Sequence, residues 1–123
     1  MTTTDILKQF KKKLPDIDFD IGLATCCGDE DFLMELLQDY TELPIKEELQ
    51  NYYDNEDCKH YCVRVHGFKS SSYSIGAKQI GDLACEIEML TKESLSDEVL
   101  VLQERLFEQY DRICTIYKEI RNL

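Results

Sequence analysis

The chain of 123 residues has no tryptophan, only two prolines and only five glycines. So few turn-forming residues leave no supply of the tight turns that an all-β sandwich or barrel needs. Bases are scarce too: fourteen Lys and Arg stand against twenty-five Asp and Glu, for a net charge of −11. That balance argues against nucleic acid or an anionic membrane surface as a partner, because both call for a positive face. No apolar run approaches the roughly 18 residues of a membrane span. No basic start followed by an apolar stretch marks a signal peptide. A cytoplasmic protein is expected.

What is present suffices for a core. The chain is 43% hydrophobic and 32% charged, outside the range of compositional disorder. Its length fits one domain, residues 1–123, with no room for a second. The six cysteines are an even number, which would suggest disulfides in a secreted mini-protein. In a reducing cytosol they are expected as free thiols, most of them packed as small apolar groups.

Apolar spacing of three and four runs almost throughout and predicts helices. A short first helix covers about Asp5 to Leu14, with Leu7, Phe10 and Leu14 on one side, and Pro15 ends it. Lys11, Lys12 and Lys13 read as its solvated end. A short helical turn is expected over Asp20 to Cys26. Asp29, Glu30 and Asp31 suit a helix N-terminus. Phe32, Leu33, Leu36, Leu37 and Tyr40 then form a stripe that resumes at Leu43, Ile45 and Leu49. Pro44 should kink this long helix. The next helix opens at Glu56-Asp57 and runs to about Ile75, where Gly76 breaks it. Another carries Ile80, Leu83, Ile87 and Leu90. The last follows a plausible Ser96 N-cap, with Val99, Leu102, Leu106, Tyr110, Ile113, Tyr117 and Ile120 on one stripe. Four long amphipathic helices joined by short loops predict an all-α, antiparallel four-helix bundle with a short extra N-terminal helix.

Charge is unevenly spread. Residues 15–57 hold fourteen acids and one Lys, whereas residues 58–78 hold Lys59, Arg64, Lys69 and Lys78 and no acid. This acid-free island also contains both histidines, His60 and His66. It is a candidate anion site, although such runs are often merely solvated. At about 100° per residue, Cys58, Tyr61, Val65, Phe68, Ser72 and Ile75 fall on one face of the island helix. Lys59, Cys62, Val63, His66, Lys69, Ser70 and Tyr73 fall on the other. His66 is thus expected in solvent, beside the small residues Gly67 and Ser70. Gly and Ser within a helix cost propensity, which makes sense if something must approach the backbone closely.

The run His66-Gly67-Phe68-Lys69-Ser70-Ser71-Ser72-Tyr73-Ser74-Ile75-Gly76-Ala77 resembles the signature of the histidine phosphotransfer (HPt) domains of two-component phosphorelays. That pattern reads His, any residue, apolar, Lys, three small residues, then an apolar residue and Gly. Ile80, Leu83, Ile87 and Glu88 stand where the family continues with apolar residues and a closing Glu or Gln. The resemblance covers about residues 20–95. It implies a phosphocarrier, not an autonomous kinase, with no ATP site, no cofactor and no metal of its own. Its implied partners are response-regulator receiver domains, which bring their own Mg²⁺, and a hybrid sensor histidine kinase. His66 would be the phosphorylated residue. The attacking imidazole must be neutral, so that one ring nitrogen keeps its lone pair. Glu88 would accept the Nδ1 proton and fix the tautomer, and Lys69, one turn on, would accompany the phosphoryl group. The partner is expected over Lys59, Cys62, Val63, Gly67, Ser70 and Tyr73, with Val63 and Tyr73 as its apolar patch. Ser70 stands where most members carry glycine, and Tyr73 where they carry a small residue; both bear on partner choice. A monomer is expected.

Three other readings compete. Cys58, Cys62 and His66 stand at i, i+4 and i+8 and could line up soft metal ligands, with Cys26 or Cys27 completing the set. A helical adaptor could keep the bundle without phosphotransfer. The adjacent Cys26 and Cys27 could serve redox chemistry.

Overall fold

The computed structural model describes residues 1–123. It is all-α, with helices α1 (Thr3–Lys13), α2 (Phe19–Thr25), α3 (Glu30–Thr41), α4 (Ile45–Asp54), α5 (Cys58–Ser74), α6 (Lys78–Leu90) and α7 (Asp97–Arg121). Short polar side chains start most of them. Thr2 and Asp5 form a reciprocal capping box on α1, and Ser96 accepts from the Val99 amide at the start of α7. Asp18, Asp29 and Asp57 cap α2, α3 and α5. Part of the acid-rich 15–57 stretch therefore serves helix starts, where a carboxylate meets unpaired amides and the positive end of the helix dipole.

The kinked helix expected across Pro44 is instead two helices. Pro44 sits at the N-cap of α4, since it has no N–H and its ring clashes with the carbonyl four residues back, that of Tyr40. The Tyr110 hydroxyl on α7 shares its one proton between that Tyr40 carbonyl at 2.8 Å and the Leu43 carbonyl at 3.0 Å. The break is thereby solvated by protein. The α3 stripe is also narrower than its sequence suggests: Leu33, Leu37 and Tyr40 are buried, but Phe32 is 51% exposed. It lies about 100° around the helix from Leu33 and misses the core.

One cluster of 26 buried hydrophobic residues forms the core. The α7 stripe from Val99 to Ile120 is buried along its whole length, and Leu7, Phe10 and Leu14 anchor α1 against it. Polar groups inside are paired. Tyr61 donates to Gln103, Gln103 to Gln50, and Tyr40 shares a hydrogen bond with Ser72. No buried side-chain nitrogen or oxygen lacks a partner. No helix is long and apolar enough to cross a membrane.

α5 and α6 form a helical hairpin of opposite chain directions. Cys58 Sγ meets the Thr91 carbonyl near one end, and the Tyr73 hydroxyl meets Asp82 near the other. Their turn depends on Gly76, whose φ of 86° is left-handed. A Cβ there would also stand 1.9 Å from the Asp18 carbonyl oxygen. Gly76→Ala therefore combines backbone strain with a backbone clash. It should cost at least about 2–3 kcal/mol, read as a lower urea midpoint with an unchanged slope. A loss under about 0.5 kcal/mol would contradict the close approach.

Candidate functional site

α5 buries one face, in the phase its sequence predicts. Tyr61, Val65, Phe68, Ser72 and Ile75 are buried, with Cys58 half-buried at the end of that stripe. His66 projects from the other side, its side chain 58% exposed. Its Nδ1 lies 2.8 Å from Glu88 Oε2 on α6. Lys69, one turn on, donates from Nζ to the other oxygen of the same carboxylate at 2.7 Å. A carboxylate can only accept here, so the imidazole proton belongs on Nδ1. Nε2 has no hydrogen-bond partner in the protein and is free to act as a nucleophile or base.

Glu88 is 13% exposed. Burial pushes its pKa up, but the hydrogen bonds from Lys69 and His66 outweigh burial and hold the carboxyl below its usual range. The same contact with Glu88 raises the Lys69 pKa. The triad is thus an anion held between two donors, with one donor nitrogen facing protein and the other imidazole nitrogen facing out.

The remaining residues singled out from the sequence distribute unevenly around it. Lys59 and Val63 are exposed, Val63 by 66%. Cys62 is half-buried, its Sγ 3.9 Å from the Glu88 carbonyl oxygen. Ser70 is exposed and its hydroxyl bonds back to the His66 carbonyl. Gly67 is not required by the fold, because an added Cβ would meet only Arg64 Nη1, at 3.7 Å. Tyr73 is 37% exposed. Its ring lies against α6 over Gly81, where a Cβ would stand 2.3 Å from it, and its hydroxyl donates to Asp82 at 2.6 Å.

The acid-free island is not acid-free in space. Arg64 pairs with Glu48 on α4, Lys69 with Glu88 and Lys78 with Asp82. Only Lys59 among its Lys and Arg has no ion-pair partner. Lys78 and Asp82 are four apart on α6, a pairing that sequence spacing could have revealed. Glu48 carries no such signal, being brought to α5 by tertiary packing.

The cysteine–histidine cluster does not form. No group of three or more His, Cys, Asp or Glu side chains is placed to hold a metal ion. All six cysteines are free, and Cys58 is turned onto the Thr91 carbonyl at 2.7 Å. Burial raises the Cys26 pKa, with Asp29 and Cys27 adding to it, so this thiol is poor in reactive thiolate.

Comparison of the chain with protein-family models, curated proteins and solved structures finds no match.

Two measurements follow from this geometry. Gly67→Ala should stabilise the protein by about 0.5–1 kcal/mol, the usual gain of replacing an interior helix glycine, as seen in urea unfolding. Glu88, with its pKa depressed on folding, contributes stability that is present above the ordinary glutamate value of about 4.3 and lost as pH falls through the lowered one. Its Cδ resonance should titrate below the ordinary value in the wild type and move up in Lys69→Ala. An unmoved midpoint would show that Lys69 does not hold the carboxylate.

Proposed function

We propose that this protein is a phosphocarrier of the histidine phosphotransfer type, passing a phosphoryl group between receiver-domain aspartates through His66. The observation that carries the reading is the outward Nε2 of a half-exposed histidine whose Nδ1 is hydrogen-bonded to a carboxylate on the neighbouring helix. The motif from His66 to Glu88 supplies the reaction class. In this reading α3 with α4, α5, α6 and α7 make up the antiparallel four-helix arrangement of that family, and α1 is the extra N-terminal helix. The protein works as a monomer that receives from a hybrid sensor kinase's receiver domain.

The chemistry follows from the side chains. The Nε2 lone pair attacks phosphorus in an aspartyl phosphate. The Nε2–P bond forms, the P–O bond to the aspartate breaks, and its electron pair stays on the released carboxylate. The Nδ1 proton does not move. The positive charge that develops on the ring faces Glu88, which is ionised at neutral pH and already in contact. Delivery to a second receiver reverses these steps. Lys69 is bonded to Glu88 beforehand, so it must exchange a carboxylate oxygen for a phosphoryl oxygen as the group arrives. Glu88, by contrast, already touches the ring and needs little reorganisation as its charge develops.

The test is incubation with phosphoramidate at neutral pH, followed by intact mass before and after brief acid treatment. One acid-labile phosphoryl group is expected on the wild type and none on His66→Gln, with helicity unchanged. Equal uptake by His66→Gln would remove the assignment. No uptake by either protein would favour a helical adaptor without phosphotransfer. Lys69→Ala should accept about tenfold more slowly, as the loss of one charge-assisted hydrogen bond implies. A wild-type rate would refute its electrostatic role.

A further inference from the structure

A groove beside His66 has no part in the proposed transfer chemistry. It is lined by Cys58, Lys59, Cys62 and Val63 of α5 and by Thr91, Lys92 and Glu93 just beyond α6. Its floor is thiol and apolar, because Cys58 is turned onto the Thr91 carbonyl and Cys62 toward that of Glu88. Val63 rises from it, 66% exposed. Two lysines flank it, and neither has an ion-pair partner. Asp57, two residues before Lys59, is contacted by the backbone amide and Nδ1 of His60 and still feels the Lys59 charge. Glu93 is the one acid on the rim and pairs with neither lysine. Lys59 stands two turns before His66 on the same face, about 10 Å along the helix axis.

The charge pattern gives this groove its meaning. Arg64, Lys69 and Lys78 are neutralised by Glu48, Glu88 and Asp82. The chain as a whole carries −11 and repels an acidic protein. Lys59 and Lys92 thus stay outside any ion pair, set on either side of an apolar strip, with Asp57 and Glu93 as the acids nearest them in sequence. An aspartyl-phosphate site is itself acidic, so a partner that brings one to His66 approaches against the field of most of this surface. A local attractive pair orients such an encounter and speeds it.

We propose that the groove between Lys59 and Lys92 docks the phosphoryl-exchanging partner through an acidic side chain beside an apolar one, and that these lysines select which partner is served. The proposal rests on the phosphocarrier reading above. It places this contact at the end of the His66 face away from Tyr73.

The test compares wild type with Lys59→Glu/Lys92→Glu and Lys59→Arg/Lys92→Arg. Two donors are used: phosphoramidate, which needs no docking, and a panel of purified receiver domains charged with acetyl phosphate. Charge reversal should leave phosphoramidate labelling within about twofold of wild type. It should lower kcat/KM from receivers at least about tenfold and flatten its salt dependence, whereas the arginine variant stays near wild type. Unchanged transfer from receivers in the charge-reversed protein overturns the proposal. Labelling by phosphoramidate with no transfer from any receiver to wild type overturns the receiver as the occupant. A change in sedimentation without a change in transfer makes the groove a contact between copies and also overturns it. Failure of phosphoramidate to label wild type brings down the phosphocarrier reading itself.

Discussion

The Asp18 amide donates to the Gly76 carbonyl at 3.0 Å, and at that point the backbones are too close for any side chain on residue 76. This contact fixes the turn between α5 and α6 against the start of α2. Gly22 repeats the close approach one turn into α2, where a Cβ would stand 2.8 Å from the Ile75 carbonyl oxygen. With the turn pinned, α6 has no freedom to slide along α5. Its register then places Glu88, about three turns on, opposite His66. A shift of one residue would rotate the carboxylate about 100° away. The geometry of an exposed site is thus set at a buried turn well removed from it.

Much of this was legible in the sequence, and the reasons are local. The α7 stripe and its Ser96 cap follow directly from spacing and from the preference of hydroxyls for helix starts. The two faces of α5 follow from phase alone, because a long helix between clear breakers has no alternative rotation. What escaped the sequence is tertiary. The full break at Pro44 comes with a contact from Tyr110, far along the chain, whose hydroxyl meets the Tyr40 carbonyl. The seat of the Tyr73 ring was hidden as well, because Gly81 gives no sign, one-dimensionally, that it makes room for it. Lys92 drew no notice because it belongs to a turn, and only folding sets it across a groove from Lys59.

Charge teaches the same lesson. A run without acids reads as a positive surface, yet three of its four Lys and Arg residues are paired with carboxylates from α4 and α6. The pairs are partly exposed and individually worth little to stability. Their effect is to erase field. A surface can be discriminating through what is cancelled as much as through what is displayed, and here the cancellation leaves Lys59 and its partner across the groove as the local contrast.

The buried tyrosines carry a further consequence, at the alkaline end of the pH scale. Tyr40, Tyr61 and Tyr110 are almost wholly inaccessible, and burial is the chief cause pushing each phenol's pKa well up. Unfolded, they would ionise near 10. The folded state therefore keeps these protons, and that of the likewise buried Tyr117, where the unfolded chain releases them above that value. Stability from this source is complete below about pH 10 and drains away as pH rises beyond it. Phenolate absorbance from these buried rings should appear together with the loss of helix, so that a chain without tryptophan still reports its own unfolding.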